Sequence, residues 1–103
     1  MATSTFKNAT DTGVGTSFST VYTVPASTTA VMIGMTVANL GVSQIAIEVK
    51  CANTYLVKAA AIPSGSSLSV LDGKIILEAG DTVEVKSDTA ASADVIVSIL
   101  EQA

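Results

Sequence analysis

The sequence predicts an all-β fold, a two-sheet β-sandwich of about eight strands with a jelly-roll-like arrangement. Short apolar runs alternate with polar residues at a period of two, and clusters of Gly, Pro, Asp, Asn and Ser separate them at intervals of roughly 8–12 residues. No segment of useful length has the period of an amphipathic helix. An immunoglobulin-like sandwich is the alternative, which we disfavour because one cysteine and no tryptophan cannot form that fold's Cys…Trp…Cys core.

Successive runs define the strands in chain order. Their predicted ranges are 18–24, 30–38, 44–51, 54–59, 67–71, 74–78, 82–86 and 93–101. The run 44–51 is the clearest, because its apolar residues alternate strictly with polar or small ones, as in a half-buried antiparallel strand. Gly34 inside its run indicates a β-bulge or a close backbone approach. The Asp-Gly pair at 72–73 predicts a tight hairpin between its flanking runs.

The first 17 residues read differently from the rest of the chain. They are polar, contain Gly13 and Gly15, and show no sustained period. We therefore divide the chain into an N-terminal arm, 1–17, and a β-sandwich domain, 18–103. Phe6 and Val14 are the residues with which the arm would anchor on a neighbouring surface, and a free terminus is the alternative.

The composition indicates a chain that covers part of its surface with protein. At 103 residues the chain forms about one domain, and charged residues make up 14% of it, against an ordinary share of about 25%. A small soluble monomer needs more charge than this on its surface. We therefore expect contact with copies of the same chain or with another protein.

The last predicted strand supplies apolar surface for such a contact. Its odd-numbered residues from 95 to 99 fill one face, while Ile96 and Leu100 lie on the other. A strand that is apolar on both faces needs cover on both sides. Met32, opposite Ile33, repeats this pattern in the run 30–38. The predicted contact residues are Ile96, Leu100, Met32, Phe6 and Val14. Cover by the chain's own arm or by a long loop is the alternative.

The residue types argue against enzymatic chemistry. The chain contains no His and no Arg, and Cys51 is its one thiol. We predict no catalytic residue, no cofactor and no metal site, because general acid–base and nucleophilic catalysis draw on those side chains. Asp72, Glu78 and Asp81 lie close in sequence, but their spacing does not match a calcium-binding loop. Cys51 ends an alternating run and is expected to be a small buried core residue.

The charges and the apolar runs also limit the partners. The net charge is −4, and the lysines are scattered along the sequence at positions 7, 50, 58, 74 and 86. Nucleic-acid-binding proteins cluster such charges on one face, so we expect no nucleic-acid partner. No run approaches the ~18 apolar residues of a membrane span, so we expect no membrane partner. The opening residues lack the features of a signal peptide, which predicts synthesis in a cytoplasm.

Several phrases in the sequence resemble those of small virion structural proteins of tailed bacteriophages, notably cyanophage-like ones. The phrases are VYTVPASTTAV at 21–31, IGMTVAN at 33–39, YLVK at 55–58, IPSGSSL at 62–68 and LEAGDTVEV at 77–85. The resemblance extends over roughly residues 20–101. No catalytic motif belongs to this group, so no functional residue is carried over.

The resemblance implies a non-enzymatic virion component without specifying which one, and a head decoration (cement) protein is the first hypothesis. Such proteins are often jelly rolls that form homotrimers on the capsid, so the expected partners are the chain itself and the major capsid protein or another virion protein. The implied location is the virion, after synthesis in the host cytoplasm. A neck, tail or fibre component is the second hypothesis. A carbohydrate-binding module is the third, for which only Phe6, Phe18, Tyr22 and Tyr55 provide aromatic rings.

Overall fold

The computed structural model describes residues 3–71 and 73–103. Within these ranges the fold consists of nine strands: β1 (Ser4–Asp11), β2 (Ser19–Thr23), β3 (Thr29–Asn39), β4 (Ile45–Cys51), β5 (Thr54–Ile62), β6 (Ser67–Ser69), β7 (Ile75–Leu77), β8 (Thr82–Ser87) and β9 (Ala93–Gln102). All of their pairings are antiparallel. The described residues include no helix long and apolar enough to cross a membrane.

The strands form two sheets, which we call sheet A and sheet B. Sheet A has the order β1-β9-β3, with β6 and β7 both pairing with β3, and sheet B has the order β2-β8-β4-β5. Because β6 pairs with residues 36–38 and β7 with residues 30–32, the two short strands lie one after the other along the same edge of β3. If β6 and β7 are counted as one interrupted strand, the strands pair from the ends of the chain inward: β1 with β9, β2 with β8, β3 with β6 and β7, and β4 with β5. This is jelly-roll pairing, so the predicted fold class is confirmed.

The loops gather at the two ends of the sandwich. The connections 12–18, 40–44, 63–66 and 88–92 lie at one end, which we call the loop end. The chain termini lie at the opposite end, where Thr3 and Ala103 exchange backbone hydrogen bonds of 2.8 and 3.0 Å. The inward faces of the two sheets meet in one apolar core, in which Met35 and Val97 of sheet A and Ile47 and Val85 of sheet B are fully buried.

From residue 3, where the described part of the chain begins, the N-terminal segment belongs to the sandwich, which corrects the expectation of an arm over residues 1–17. Residues 4–11 form β1, which pairs with β9 along its whole length. A polar sequence can form such an edge strand because the ladder of backbone hydrogen bonds does not depend on apolar side chains. Val14 is likewise a core residue, 1% exposed, and is held by backbone hydrogen bonds to Ala91 and Ala93. Val14 is therefore not an anchor on a neighbouring surface.

The bulge predicted at Gly34 is present, and it reverses the facing of part of β3. The register of β3 against β9 shifts between Met32 and Gly34. As a result, Met32 and Met35 both face inward and are buried, whereas Ile33 is 39% exposed. Simple alternation would have placed Met32 and Met35 on opposite faces. Met32 is therefore a core residue rather than a contact residue.

The hairpin predicted at residues 72–73 does not form in the expected way. The two flanking runs contain β6 and β7, which pair with β3 and not with each other. Backbone hydrogen bonding to β3 continues to Val70, whose N–H donates to the carbonyl of Met35 at 2.9 Å. Leu71, Gly73 and Lys74 belong to neither β6 nor β7, and Asp72 lies outside the described residues.

Because Met32 is buried and Phe6 is exposed, truncating Met32 should lower the stability of the fold much more than truncating Phe6. Met32→Ala is expected to lower the free energy of unfolding by about 2–5 kcal/mol, because it leaves a cavity in the core. Phe6→Ala is the matched surface control and should change this free energy by less than about 0.5 kcal/mol in dilute solution. Urea denaturation followed by circular dichroism provides the measurement. Equal, small losses in both variants would mean that Met32 is not in the core.

Candidate interaction surfaces

The outer face of sheet A carries a row of apolar side chains that crosses four strands. Phe6 of β1 lies opposite Leu100 of β9, Leu100 opposite Val31 of β3, and Val31 opposite Ile76 of β7. Phe6 is 75% exposed and Ile76 is 70% exposed, while Leu100 and Val31 are half-buried. We call these four residues the apolar row. Cross-strand neighbours of this kind form a continuous surface.

The rest of this face is almost free of charge. Ile33, on the bulge, and Ile96, further along β9, add exposed apolar surface. Asp94, near the loop end, is the one charged residue among the outward-facing strand residues that the structure describes in sheet A. Apart from the apolar row, Ile33 and Ile96, the remaining outward-facing residues are small or polar and uncharged: Ser4, Asn8, Thr10, Thr29, Gly34, Thr36, Ala38, Ser67, Ser69, Ser98 and Gln102. A sheet face that remains in water ordinarily carries more charge than this.

The structure brings together part of the predicted contact set. Phe6 and Leu100 are direct cross-strand partners on the outer face of sheet A, and Ile96 lies on the same face, opposite Thr10 and Thr36. Val31 and Ile76 complete the row, but sequence reasoning missed them. Simple alternation in the run 30–38 places Val31 on the face opposite Met32, and Ile76 lies in a run expected to form one strand of a hairpin. Their shared face depends on the bulge in β3 and on the pairing of β7 with β3.

A polar cluster closes the seam between the two sheets. The Tyr22 hydroxyl of β2 donates a hydrogen bond to the Glu101 carboxylate of β9, and the Lys7 Nζ of β1 lies 3.4 Å from Glu101 Oε2. Burial raises the pKa of the Tyr22 phenol, and the hydrogen bond and negative charge of Glu101 raise it further. The phenol therefore keeps its proton at neutral pH. The cluster ties β1, β9 and β2 together rather than providing a base for catalysis.

The outer face of sheet B carries a cluster of lysines and aromatic rings. Phe18, next to one edge strand, and Tyr55, on the other, reach over the sheet until their ring centroids are 6.3 Å apart. The Lys50 Nζ lies 4.6 Å from the Phe18 centroid and 5.0 Å from the Tyr55 centroid. Lys86 lies 5.1 Å from Phe18, and Lys58 lies 4.9 Å from Tyr55. We call these five residues the lysine–aromatic patch.

The lysines that look scattered in the sequence are thus gathered in part by the fold. Three of the five lie within cation–π distance of two rings that are distant from each other in sequence. Glu48 lies 3.5 Å from the Lys86 ammonium group. For Lys50 and Lys58, no carboxylate in the described part of the chain lies within salt-bridge distance. Glu84 lies opposite Lys50 on the same face, so three lysines stand beside two glutamates. The patch therefore has a small excess of positive charge on an acidic protein.

A rigid loop at the loop end presents two aliphatic side chains to solvent. The buried Asn39 amide donates to the carbonyls of Ser43 and Ile62 at 2.8 and 2.9 Å, and its Oδ1 accepts the Gly41 N–H at 2.8 Å. Leu40 is 59% exposed and Val42 is 96% exposed. We call residues 40–43 the loop tip. Beside it lies an open cavity of about 230 Å³ lined by Gly41, Val42, Ser43, Ile45, Thr89 and Ser92.

Cys51 is a core residue, as predicted from its place at the end of an alternating run. It is 4% exposed and belongs to the apolar core. Burial raises the pKa of the Cys51 thiol to about 11, and the negative charge of Asp81 contributes to the rise. A buried, protonated thiol is a poor nucleophile and does not readily form a disulfide.

Comparison with known proteins shows the fold. No family model matches the sequence, and no curated protein is similar to it. A similar solved structure comes from work showing that Bacillus endospore appendages form a novel family of disulfide-linked pili. It has a TM-score of 0.54 and 18% sequence identity, and the match covers 99% of this chain and 88% of that one. At this identity the similarity establishes a shared architecture over nearly the whole chain.

The burial of Cys51 predicts that its thiol reacts only when the chain unfolds. At about pH 8 the folded protein should not react with a thiol reagent such as Ellman's reagent, and the denatured protein should react with one thiol per chain. A Thr16→Cys variant is the control, because its added thiol, at an exposed position in the connection 12–18, should react at once. Immediate reaction of Cys51 in the native protein would contradict its burial.

The same shift in pKa affects stability in alkaline solution. The pKa of the folded thiol lies above its ordinary value of 9.0, so the folded state holds the proton more tightly than the unfolded chain. The resulting stabilisation is complete below pH 9.0 and decreases as the pH rises toward about 11. A Cys51→Ala variant should lose less stability than the native chain over this range in urea denaturation. Identical pH profiles would show that the thiol does not contribute.

Proposed function

We propose that this chain is a non-enzymatic structural subunit that assembles through the outer face of sheet A. The observation that carries the proposal is the apolar row, which crosses four strands on a face where Asp94 is the one charged residue among the described strand residues. Burial of apolar surface contributes about 25 cal/mol per Å², so side chains as exposed as Phe6 and Ile76 favour association strongly. The outer face of sheet B is less suited to a purely apolar contact, because it carries lysines and glutamates.

The particular role that the sequence favours is capsid decoration. The resemblance to phage virion proteins and the jelly-roll pairing both support a homotrimer that binds the major capsid protein in the assembled head. A subunit that binds only the assembled lattice stabilises that lattice by mass action. In this role the apolar row lies between subunits or against the capsid, and the protein is located in the virion.

A subunit of an extracellular filament is the second candidate, and the structural neighbour favours it. That protein belongs to pili described as disulfide-linked, and it shares the architecture of this chain over nearly all of its length. Cys51 is buried here, so a filament of this chain would be held by non-covalent contacts. Both candidates require self-association, but they differ in whether the assembly closes or continues.

We expect the purified protein to be an oligomer whose stability depends on the apolar row. Sedimentation equilibrium should give a mass well above 10.4 kDa, three times that value for a trimer. Ile76→Asp should lower this mass, because a carboxylate buried in an apolar contact is costly. Thr23→Asp, at an exposed position in β2, is the control and should leave the mass unchanged. About 1 M salt should leave the contact through the apolar row intact, since salt does not screen apolar contacts.

Electron microscopy and capsid binding distinguish the two candidates. A decoration protein should remain a discrete particle when purified and should saturate sites on undecorated heads, raising the temperature at which they rupture. A filament subunit should polymerise alone as its concentration rises. A monodisperse 10.4 kDa monomer at high concentration, with no binding to heads, would contradict the proposed structural role.

A further inference from the structure

We propose that the loop tip of one copy docks on the lysine–aromatic patch of a second copy. This inference deepens the proposed self-assembly and rests on it, but it concerns a different surface from the apolar row. The tip lies at the loop end and the patch lies on the outer face of sheet B, so a single copy cannot join its own two surfaces. The contact is therefore between copies.

The loop tip is organised in advance for binding. The Asn39 side chain holds the turn by donating to the Ser43 and Ile62 carbonyls and accepting the Gly41 N–H, and two more hydrogen bonds anchor the turn to neighbouring loops. In these, the Leu40 N–H donates to the Ser92 carbonyl at 2.8 Å, and the Ser64 hydroxyl donates to the Gly41 carbonyl at 2.9 Å. A loop held so firmly has little entropy left to lose on binding. It nevertheless holds Leu40 and Val42 in water, where neither side chain contributes to the core.

The carboxylates around the loop tip limit the kind of surface that the tip can bind. Within the four loops at this end, Asp88 is the one charged residue, and Asp11 and Asp94 flank it at the ends of β1 and β9. Two loop ends facing each other would bring six carboxylates together without a lysine, three from each copy. Such like charges disfavour a symmetric contact between two tips. A basic surface with apolar groups is the complement that the tip requires.

The lysine–aromatic patch of the same protein has these properties. It combines two aromatic rings with three ammonium groups, which share this face with two carboxylates. Glu48 pairs with Lys86, and Glu84 lies opposite Lys50 on β8 but outside salt-bridge distance, so the face keeps a small excess of positive charge. Tyr55 is 41% exposed and is therefore available to an incoming side chain. Aliphatic groups of the tip would pack on the rings, while the nearby aspartates would approach the lysines. Apolar and charged groups are thus matched in one contact.

A contact between two different surfaces of the same protein is heterologous. Each copy has one tip and one patch, so every bound copy leaves one of each free for the next. Repetition of the contact produces a ring if the rotation closes and an open chain if it does not. Because part of the attraction is between charges at the surface, the contact should weaken as salt increases, unlike the apolar row.

Complementation between two defective variants tests the contact directly. The experiment is made in the Ile76→Asp background, which weakens the apolar row and isolates the second contact. In this background Val42→Asp removes the tip, and the pair Lys50→Glu with Lys58→Glu removes the patch. Each variant alone should be a 10.4 kDa monomer. Mixed in equal amounts, they should form a 1:1 heterodimer of twice that mass, because each supplies the surface that the other lacks.

The possible outcomes are separated by mass, measured by sedimentation or light scattering. A heterodimer that forms only in the mixture supports the contact, and it should dissociate in about 1 M salt. Absence of a heterodimer overturns the proposed contact. If Ile76→Asp alone leaves a salt-resistant oligomer of unchanged mass, the apolar row fails instead, which is a separate result. Circular dichroism verifies that each variant is folded, and Lys50→Gln with Lys58→Gln replaces the reversed pair if it is not.

Discussion

The organisation of this protein depends on β9, which has apolar side chains on both faces. It lies in the interior of sheet A between β1 and β3, and its inward residues Val95, Val97 and Ile99 are buried in the core. A two-layer sandwich has one core, so it cannot also bury the outward residues Ile96 and Leu100. The neighbouring strands extend this apolar surface across the sheet. The inward face of β9 thus stabilises the fold, and its outward face contributes to the proposed assembly.

The two sheets deal with their outer faces in different ways. On sheet B, Phe18 and Tyr55 reach in from the two edges and lie close to Lys50, so the chain's own side chains cover the middle of this face in part. Lysine stems suit this role because the charged group remains in water. Sheet A has no equivalent cover in the described part of the chain. Its exposed Phe6 and Ile76 therefore mark the face where another protein is expected.

The sequence was sufficient to predict the fold class, because alternation in segments such as β4 and β8 is strict and the turn residues are regularly spaced. It was insufficient for β1, whose residues have no apolar period and which is held through backbone pairing with β9. It was also insufficient for Met32, because a single bulge changes the phase of alternation within β3. The position of a bulge can be predicted from a glycine, but its effect on facing depends on the partner strand.

The interaction surfaces were harder to predict than the fold, for a related reason. Phe6, Leu100, Val31 and Ile76 are neighbours only because four strands align in one register. The lysine–aromatic patch likewise joins residues from β4, β5 and β8 with the residue before β2, so that lysines distant in sequence share one face. In the sequence, the loop tip is only the connection between the predicted strands 30–38 and 44–51. Its rigidity depends on the hydrogen bond from the Asn39 amide to the Ile62 carbonyl, 23 residues away.

The claim at the centre of this account is that the outer face of sheet A is covered in the assembled protein. Hydroxyl-radical footprinting read by mass spectrometry measures the exposure of single side chains in solution. We predict that oxidation of Phe6 and Ile76 falls together as the protein concentration rises and assembly proceeds, while oxidation of the exposed Pro25, in the connection after β2, stays constant. Oxidation of Phe6 and Ile76 that is independent of concentration, in a protein that nevertheless assembles, would contradict the claim.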